Sequence, residues 1–89
     1  MLRRHQIFNV IIAYWMMSGK NSTPRRGELL RLLDAQGMPM SRQNLIQHLI
    51  GLEKDGFLSV EDSVIILRRE EPVGDIVPVT CHELKSMQG

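Results

Sequence analysis

The side chains best suited to recognition chemistry lie in one polar stretch, at Arg42, Gln43 and Gln47. If this stretch is helical, Gln43 and Gln47 lie one turn apart and project from the same face. A glutamine amide matches the donor and acceptor edge of adenine, and an arginine guanidinium suits guanine or a phosphate. The spacing therefore favours a helix that reads base edges in double-stranded DNA.

The same outer face also carries apolar side chains. Ile50 lies on it, with Ile46 beside it. Two isoleucines can touch thymine methyl groups, but they suit a protein partner at least as well. The face thus leaves two interpretations open, a DNA-binding surface and a protein-binding surface.

The sequence holds no pattern typical of an enzyme, a cofactor site or a metal site. It has no glycine-rich phosphate loop and no nucleophile placed with a base. The single cysteine, Cys81, stands beside His82, and one such doublet falls short of a zinc pattern. One cysteine permits no internal disulfide, which fits a reducing, cytoplasmic location. No apolar run reaches the roughly 18 residues that span a bilayer, so no membrane segment is expected.

A helix over 42–55 must position the candidate side chains. Ser41 is a good N-cap residue for it. At the far end, Gly56 suits the left-handed position that terminates a helix, and Phe57 can contact Leu52 across the cap. This is the best-bounded predicted element in the chain.

A second helix is predicted over 24–36, with Thr23 as its N-cap and Pro24 at its first position. Arg25 and Arg26 then lie in the first turn, where exposed backbone N–H groups attract phosphate. A solvated polar face explains this arginine pair equally well.

The first helix is predicted over 3–18, and it is apolar on most of its circumference between Ile7 and Met17. Such a helix must be covered on more than one side. In a chain of 89 residues, a second subunit is the expected cover. The sequence therefore predicts a homodimer through helix 1.

The chain after the third helix changes to β-prone composition. Strands are predicted over 57–60 and 64–67, joined by a polar turn. A further apolar stretch at 76–79 is a candidate returning strand, and Thr80 can cap a short helix over 81–87. We expect one domain over 1–89, of the α+β class and mainly α.

The order of helix, helix, tight turn, capped helix and β-hairpin is that of a winged helix-turn-helix. The stretch Leu52–Leu58 resembles the end of the recognition helix in MarR-type transcription regulators. That resemblance implies DNA contacts from the start and outer face of the third helix and from basic residues of the wing. By position these are Ser41, Arg42, Gln43, Gln47, Arg68 and Arg69. In this chain Glu70 and Glu71 follow the wing arginines, which departs from the family pattern because acids repel phosphate.

Charge is distributed unevenly along the chain. Residues 1–54 carry eight basic and three acidic side chains, a net charge of +5, whereas 55–89 carry three basic and seven acidic ones, a net charge of −4. This asymmetry permits nucleic-acid binding without requiring it. The leading expectation is a small DNA-binding transcriptional regulator. The alternative is a winged-helix adaptor or accessory protein, such as one of a phage or mobile element, that binds protein through Ile46 and Ile50.

Overall fold

The structure, a computed structural model, describes residues 2–74. Its elements follow in the order α1 (Arg3–Met17), α2 (Arg26–Ala35), α3 (Arg42–Lys54), β1 (Leu58–Glu61) and β2 (Val64–Leu67). Three helices and a two-stranded antiparallel hairpin confirm the predicted fold class, and the arrangement is compatible with a winged helix. The predicted strand at 76–79 and the predicted helix at 81–87, with its cap Thr80, lie outside the described residues.

Helix α1 lies at the centre of the core. Every residue from Ile7 to Ala13 is buried, so this part of the helix is covered all round within a single chain. It packs against both α2 and α3. The apolar side chains still exposed on α1 belong to its last turn, where Met16 and Met17 are 42% and 46% exposed. The expectation that a second subunit must cover this part of helix 1 is therefore wrong. The homodimer through helix 1 stays a prediction, and its expected interface is now limited to the last turn of α1.

Helix α3 begins where the sequence predicts and ends one residue earlier, at Lys54 with Asp55 as its C-cap, because both end signals are local. The Ser41 hydroxyl oxygen accepts a hydrogen bond from the backbone N–H of Asn44 at 3.1 Å, which satisfies one free donor of the first turn. Gly56 has a φ of 81°, and the N–H of Phe57 donates to the Leu52 carbonyl at 3.0 Å. This backbone bond closes the helix, and it places Phe57 before the strand rather than in it.

Helix α2 begins later than predicted, and the predicted cap is wrong. Thr23 does not cap the helix, because its Oγ1 donates to the Ile65 carbonyl of the hairpin at 2.6 Å. Pro24 is buried ahead of the helix, and Arg25 is the N-cap residue. The N–H of Arg25 donates to Glu28 Oε1 at 3.4 Å, so a carboxylate takes part in the cap where the helix dipole favours negative charge.

The hairpin has a fixed register. Val60 lies opposite Ile65 and Glu61 opposite Val64, which leaves a two-residue turn at Asp62 and Ser63. Both turn residues have positive φ, 52° and 66°, as in the type I′ turn whose twist matches that of paired strands. Leu58 and Ile65 face the core from the two strands, and β1 packs against α3.

Candidate nucleic-acid interface

Helix α3 presents one face to the core and another to solvent. The core face consists of Leu45, Leu49 and Leu52. Arg42, Gln43 and Gln47 are exposed, as the sequence predicts. Within residues 2–74 their side chains make no hydrogen bond or ion pair. Their donors and acceptors are therefore uncommitted on a helix whose other side is anchored in the core.

Both ends of α3 are held by side-chain contacts. At the N-terminus the Ser41 oxygen serves as the cap, so this predicted DNA contact already has a structural role, although its O–H is still a donor. At the C-terminus Arg4 Nε donates to Asp55 Oδ2 at 2.9 Å. The arginine crosses α3 at Gly51, where a Cβ would lie 3.2 Å from Arg4 Cδ. A side chain at this glycine would push the arginine aside.

The two isoleucines of α3 differ in exposure. Ile50 is 43% exposed, whereas Ile46 is half-buried. Ile50 follows Gln43 and Gln47 at helical spacing on the solvent side of α3. The polar and apolar candidates therefore share one continuous face, and a partner that contacts the glutamines also meets Ile50.

The two arginines at the start of α2 have different environments. Arg25 is exposed and lies just before the helix rather than in its first turn. Arg26 is half-buried, and its Nη2 donates to the Ser63 hydroxyl at 3.0 Å. This bond ties the start of α2 to the hairpin turn. Of the pair, Arg25 is the one whose guanidinium is uncommitted among residues 2–74.

The turn of the hairpin, its tip, carries acidic side chains, and the opposite end, its foot, carries basic ones. Glu61 and Asp62 are exposed at the tip. Arg68 and Arg69 follow the end of β2 and do not belong to the strand. Both of their N–H groups donate to the Phe57 carbonyl, at 2.9 and 3.1 Å. The wing arginines therefore lie at the end of the hairpin that is farthest from the turn.

An aromatic cluster at this foot was not anticipated from the sequence. The Phe57 ring lies edge-on to the His5 ring at 5.3 Å and is tilted against Phe8 at 5.0 Å. The guanidinium of Arg69 lies over the same ring, with Cζ 4.7 Å from its centroid. The strand register brings the chain at Arg68 and Arg69 next to Phe57, but it does not indicate which side chain lies over the ring.

A cleft of about 500 Å³ is lined by the segment before α2 and by strand β2. Trp15 and Pro24 line it, and Arg25 and Glu70 also border it. Lys20 Nζ lies 5.6 Å from the Trp15 ring centroid, a cation–π contact at the edge of the cleft. None of the side chains on the solvent face of α3 lines this cleft, so the two surfaces are separate.

The described residues include no group of three or more potential metal ligands. None of the helices within residues 2–74 has the length and apolar character needed to cross a bilayer. Comparisons of the chain with protein families, with curated proteins and with solved structures found no match.

Proposed function

We propose that this chain is a small transcriptional regulator of the cytoplasm that binds double-stranded DNA through α3. One observation carries the proposal: Arg42, Gln43 and Gln47 are exposed and uncommitted on a helix that is capped and packed on its other side. A recognition helix needs this combination, because base contacts discriminate only when their donors are held in place.

The three side chains have different roles in this proposal. Gln43 and Gln47 read base edges, where each bidentate amide–adenine pair contributes about 1–3 kcal/mol of discrimination. Arg42 is the first residue of α3 and neutralises a phosphate or pairs with guanine. At the start of α2, the exposed Arg25 supplies a further phosphate contact. The function is binding rather than catalysis.

The hairpin tip plays no part in this mode of binding. Glu61 and Asp62 would face phosphates if the tip entered a groove, and like charges repel. Arg26 is already bonded to the turn through Ser63. We therefore assign sequence reading to α3 alone and exclude a minor-groove contact by the tip.

A second function has one specific observation in its favour. Ile50 is 43% exposed in the middle of the α3 face, and exposed apolar side chains are typical of protein interfaces. On this alternative the chain is an adaptor that binds a protein through Ile46 and Ile50, without DNA. A homodimer through the end of α1 is compatible with both functions.

Fluorescence anisotropy with labelled duplexes over a range of salt concentrations tests the proposal. Arg42→Ala should weaken binding to every sequence and reduce the slope of log K against log salt by about one. Gln43→Ala and Gln47→Ala should lose about 1–3 kcal/mol on a duplex selected from a random pool, and little on other duplexes. Arg31→Ala, at an exposed arginine of α2 that is not part of α3, is the matched control. If the unmutated protein binds no duplex at low salt, the regulator proposal is wrong.

Of two substitutions of Ile50, Ile50→Lys separates the two functions, and Ile50→Glu tests whether this face binds a partner at all. Ile50→Lys adds a cation to the α3 face, so DNA affinity should rise or stay unchanged, whereas an apolar protein contact would be lost. Ile50→Glu should abolish DNA binding by repulsion of phosphate and should equally disrupt a protein contact. Loss of DNA binding in both variants would contradict a purely electrostatic account of this position.

A further inference from the structure

The cleft between the segment before α2 and strand β2 has walls that are joined by hydrogen bonds. The Thr23 hydroxyl donates to the Ile65 carbonyl at 2.6 Å, and Arg26 Nη2 donates to the Ser63 hydroxyl at 3.0 Å. Each bond connects the α2 side of the cleft to the hairpin side. The volume of about 500 Å³ is typical of sites that bind small molecules, and such sites are usually formed before the ligand arrives.

Two side chains of opposite charge border this cleft without pairing. Arg25 lies on the α2 side, and Glu70 lies just after the hairpin. Both are exposed, and neither side chain forms an ion pair or a hydrogen bond within residues 2–74. A ligand with one anionic and one cationic group can pair with both side chains at once, through charge-assisted hydrogen bonds. The charges of the cleft therefore favour a zwitterion.

Apolar side chains form much of the remaining wall. Val64 and Ile66 are 45% and 40% exposed, and the Trp15 ring is half-buried. Covering such surface stabilises a complex in proportion to the apolar area that is removed from water. A ligand that uses this wall needs apolar groups of its own.

The backbone edge of β2 adds a third kind of contact. The Ile65 carbonyl points away from β1, since it accepts from Thr23. In an antiparallel pair the backbone groups of alternate residues point to the same side, so the N–H and carbonyl of Leu67 also point away from β1. Neither group takes part in a backbone hydrogen bond outside the hairpin in the part of the chain that the structure describes. Such an edge binds the amide groups of an extended peptide.

We infer that this cleft binds a short apolar peptide with free termini, of about dipeptide size. The carboxylate of the peptide pairs with Arg25, and its ammonium group pairs with Glu70. Its side chains cover the Trp15 ring, and its amide group bonds to the strand edge at Leu67. The inference goes beyond the proposed function and does not depend on it, because the solvent face of α3 does not line the cleft.

Fluorescence titration with the dipeptide leucyl-leucine tests the inference. Trp15 is the only tryptophan, so its emission reports occupation of the cleft directly. Leucyl-leucine should give a saturable change in emission, and calorimetry should give the same affinity. The N-acetyl form lacks the ammonium group, and the C-terminal amide lacks the carboxylate. Each should bind about two- to five-fold more weakly, which is the effect of losing one exposed ion pair.

Substitutions in the protein should match these changes in the ligand. Glu70→Gln should remove the difference between leucyl-leucine and its N-acetyl form, and it should keep the preference for a free carboxylate. Arg25→Gln should have the reverse effect. Glu71→Gln and Arg31→Gln are the matched controls, because these exposed residues carry the same charges and do not line the cleft. Urea unfolding of each variant checks that the fold is retained.

The matched pattern of ligand and protein changes supports the inference. If leucyl-leucine gives neither a saturable change in emission nor a heat of binding, the inference is wrong. Equal affinity for all three forms of the dipeptide would mean that the charges do not select the ligand, and the inference would also fail. The same holds if the control variants change the preferences as much as Glu70→Gln and Arg25→Gln do. The anisotropy measurements test DNA binding separately.

Discussion

The side-chain amide of Asn9 forms hydrogen bonds with both backbone polar groups of Val73. Asn9 Oδ1 accepts from the Val73 N–H at 2.7 Å, and Nδ2 donates to the Val73 carbonyl at 3.1 Å. The pair joins the middle of α1 to the chain after the hairpin. Asn9 is 5% exposed, and a buried amide must be hydrogen-bonded to be tolerated in a core. The one polar residue in the buried part of α1 thus anchors the segment that follows Arg69.

Asn9→Leu should destabilise the fold by about 1–3 kcal/mol, because it leaves the N–H and carbonyl of Val73 without these partners. Urea unfolding measures the change. The control is Asn44→Leu at an exposed position, which should stay within about 0.5 kcal/mol of the unmutated protein. Equal stability of the two variants would contradict an anchoring role for Asn9.

Gly56 and Gly27 offer a matched pair, since a Cβ would meet no atom within 4 Å at either position. Gly56 has a φ of 81°, so Gly56→Ala should destabilise by about 1–2 kcal/mol through backbone strain alone. Gly27 lies in α2 without positive φ, so Gly27→Ala should stabilise by about 0.5–1 kcal/mol. Thermal unfolding distinguishes the two signs, and shifts in the same direction would refute this account.

Ser41→Ala and Arg42→Ala should separate stability from binding. Loss of the cap to Asn44 should destabilise by about 1 kcal/mol. Arg42 is exposed and unpaired among residues 2–74, so its loss should weaken DNA binding with little change in unfolding free energy. If Arg42→Ala proves as destabilising as Ser41→Ala, a loss of DNA affinity in that variant would no longer indicate a direct contact.

The predicted homodimer should depend on the last turn of α1. The unmutated chain should sediment as a dimer at micromolar concentration, and Met16→Glu or Met17→Glu should convert it to monomer by placing charge on the apolar surface. Leu2→Glu, at the opposite end of α1 and 51% exposed, is the control and should leave the dimer intact. A monomeric unmutated chain would rule out the dimer.

Tyr14 should titrate above its ordinary value. Its hydroxyl donates to Glu28 Oε2 at 3.0 Å, and this hydrogen bond to a carboxylate, with a smaller contribution from burial, raises the pKa of Tyr14 above 10.0. Tyr14 is the only tyrosine, so its absorbance reports its pKa directly. Glu28→Gln should lower the pKa toward the ordinary value, and an unchanged titration would contradict the assignment.

The direction of this pKa shift determines how the stability of the fold changes with pH. Because the folded pKa lies above the unfolded one, the stabilisation is complete below pH 10.0 and is lost as pH rises through the folded pKa. Tyr14→Phe should remove this component of the pH dependence, which urea unfolding across the alkaline range would show.

Local signals in the sequence were sufficient to predict the ends of α3. A capping serine, a glycine with positive φ and leucines at helical spacing act within one or two turns, so neighbouring residues alone decide them. The exposure of Arg42, Gln43 and Gln47 follows from the same periodicity, because burying the leucines turns these side chains outward.

The tertiary structure determined the contacts between residues that are far apart in the sequence. Thr23 has the sequence character of an N-cap, yet its hydroxyl donates to the Ile65 carbonyl of the hairpin instead. Helix α2 therefore begins later, at Arg26. The burial of Ile7–Ala13 within one chain also depends on how the other elements pack around α1. The pairing of Arg69 with Phe57 needs both the hairpin register and the closure of α3. The sequence by itself determined the elements and the outward face of α3, whereas side-chain pairings over long separations required the folded chain, because their energies exist only once the segments meet.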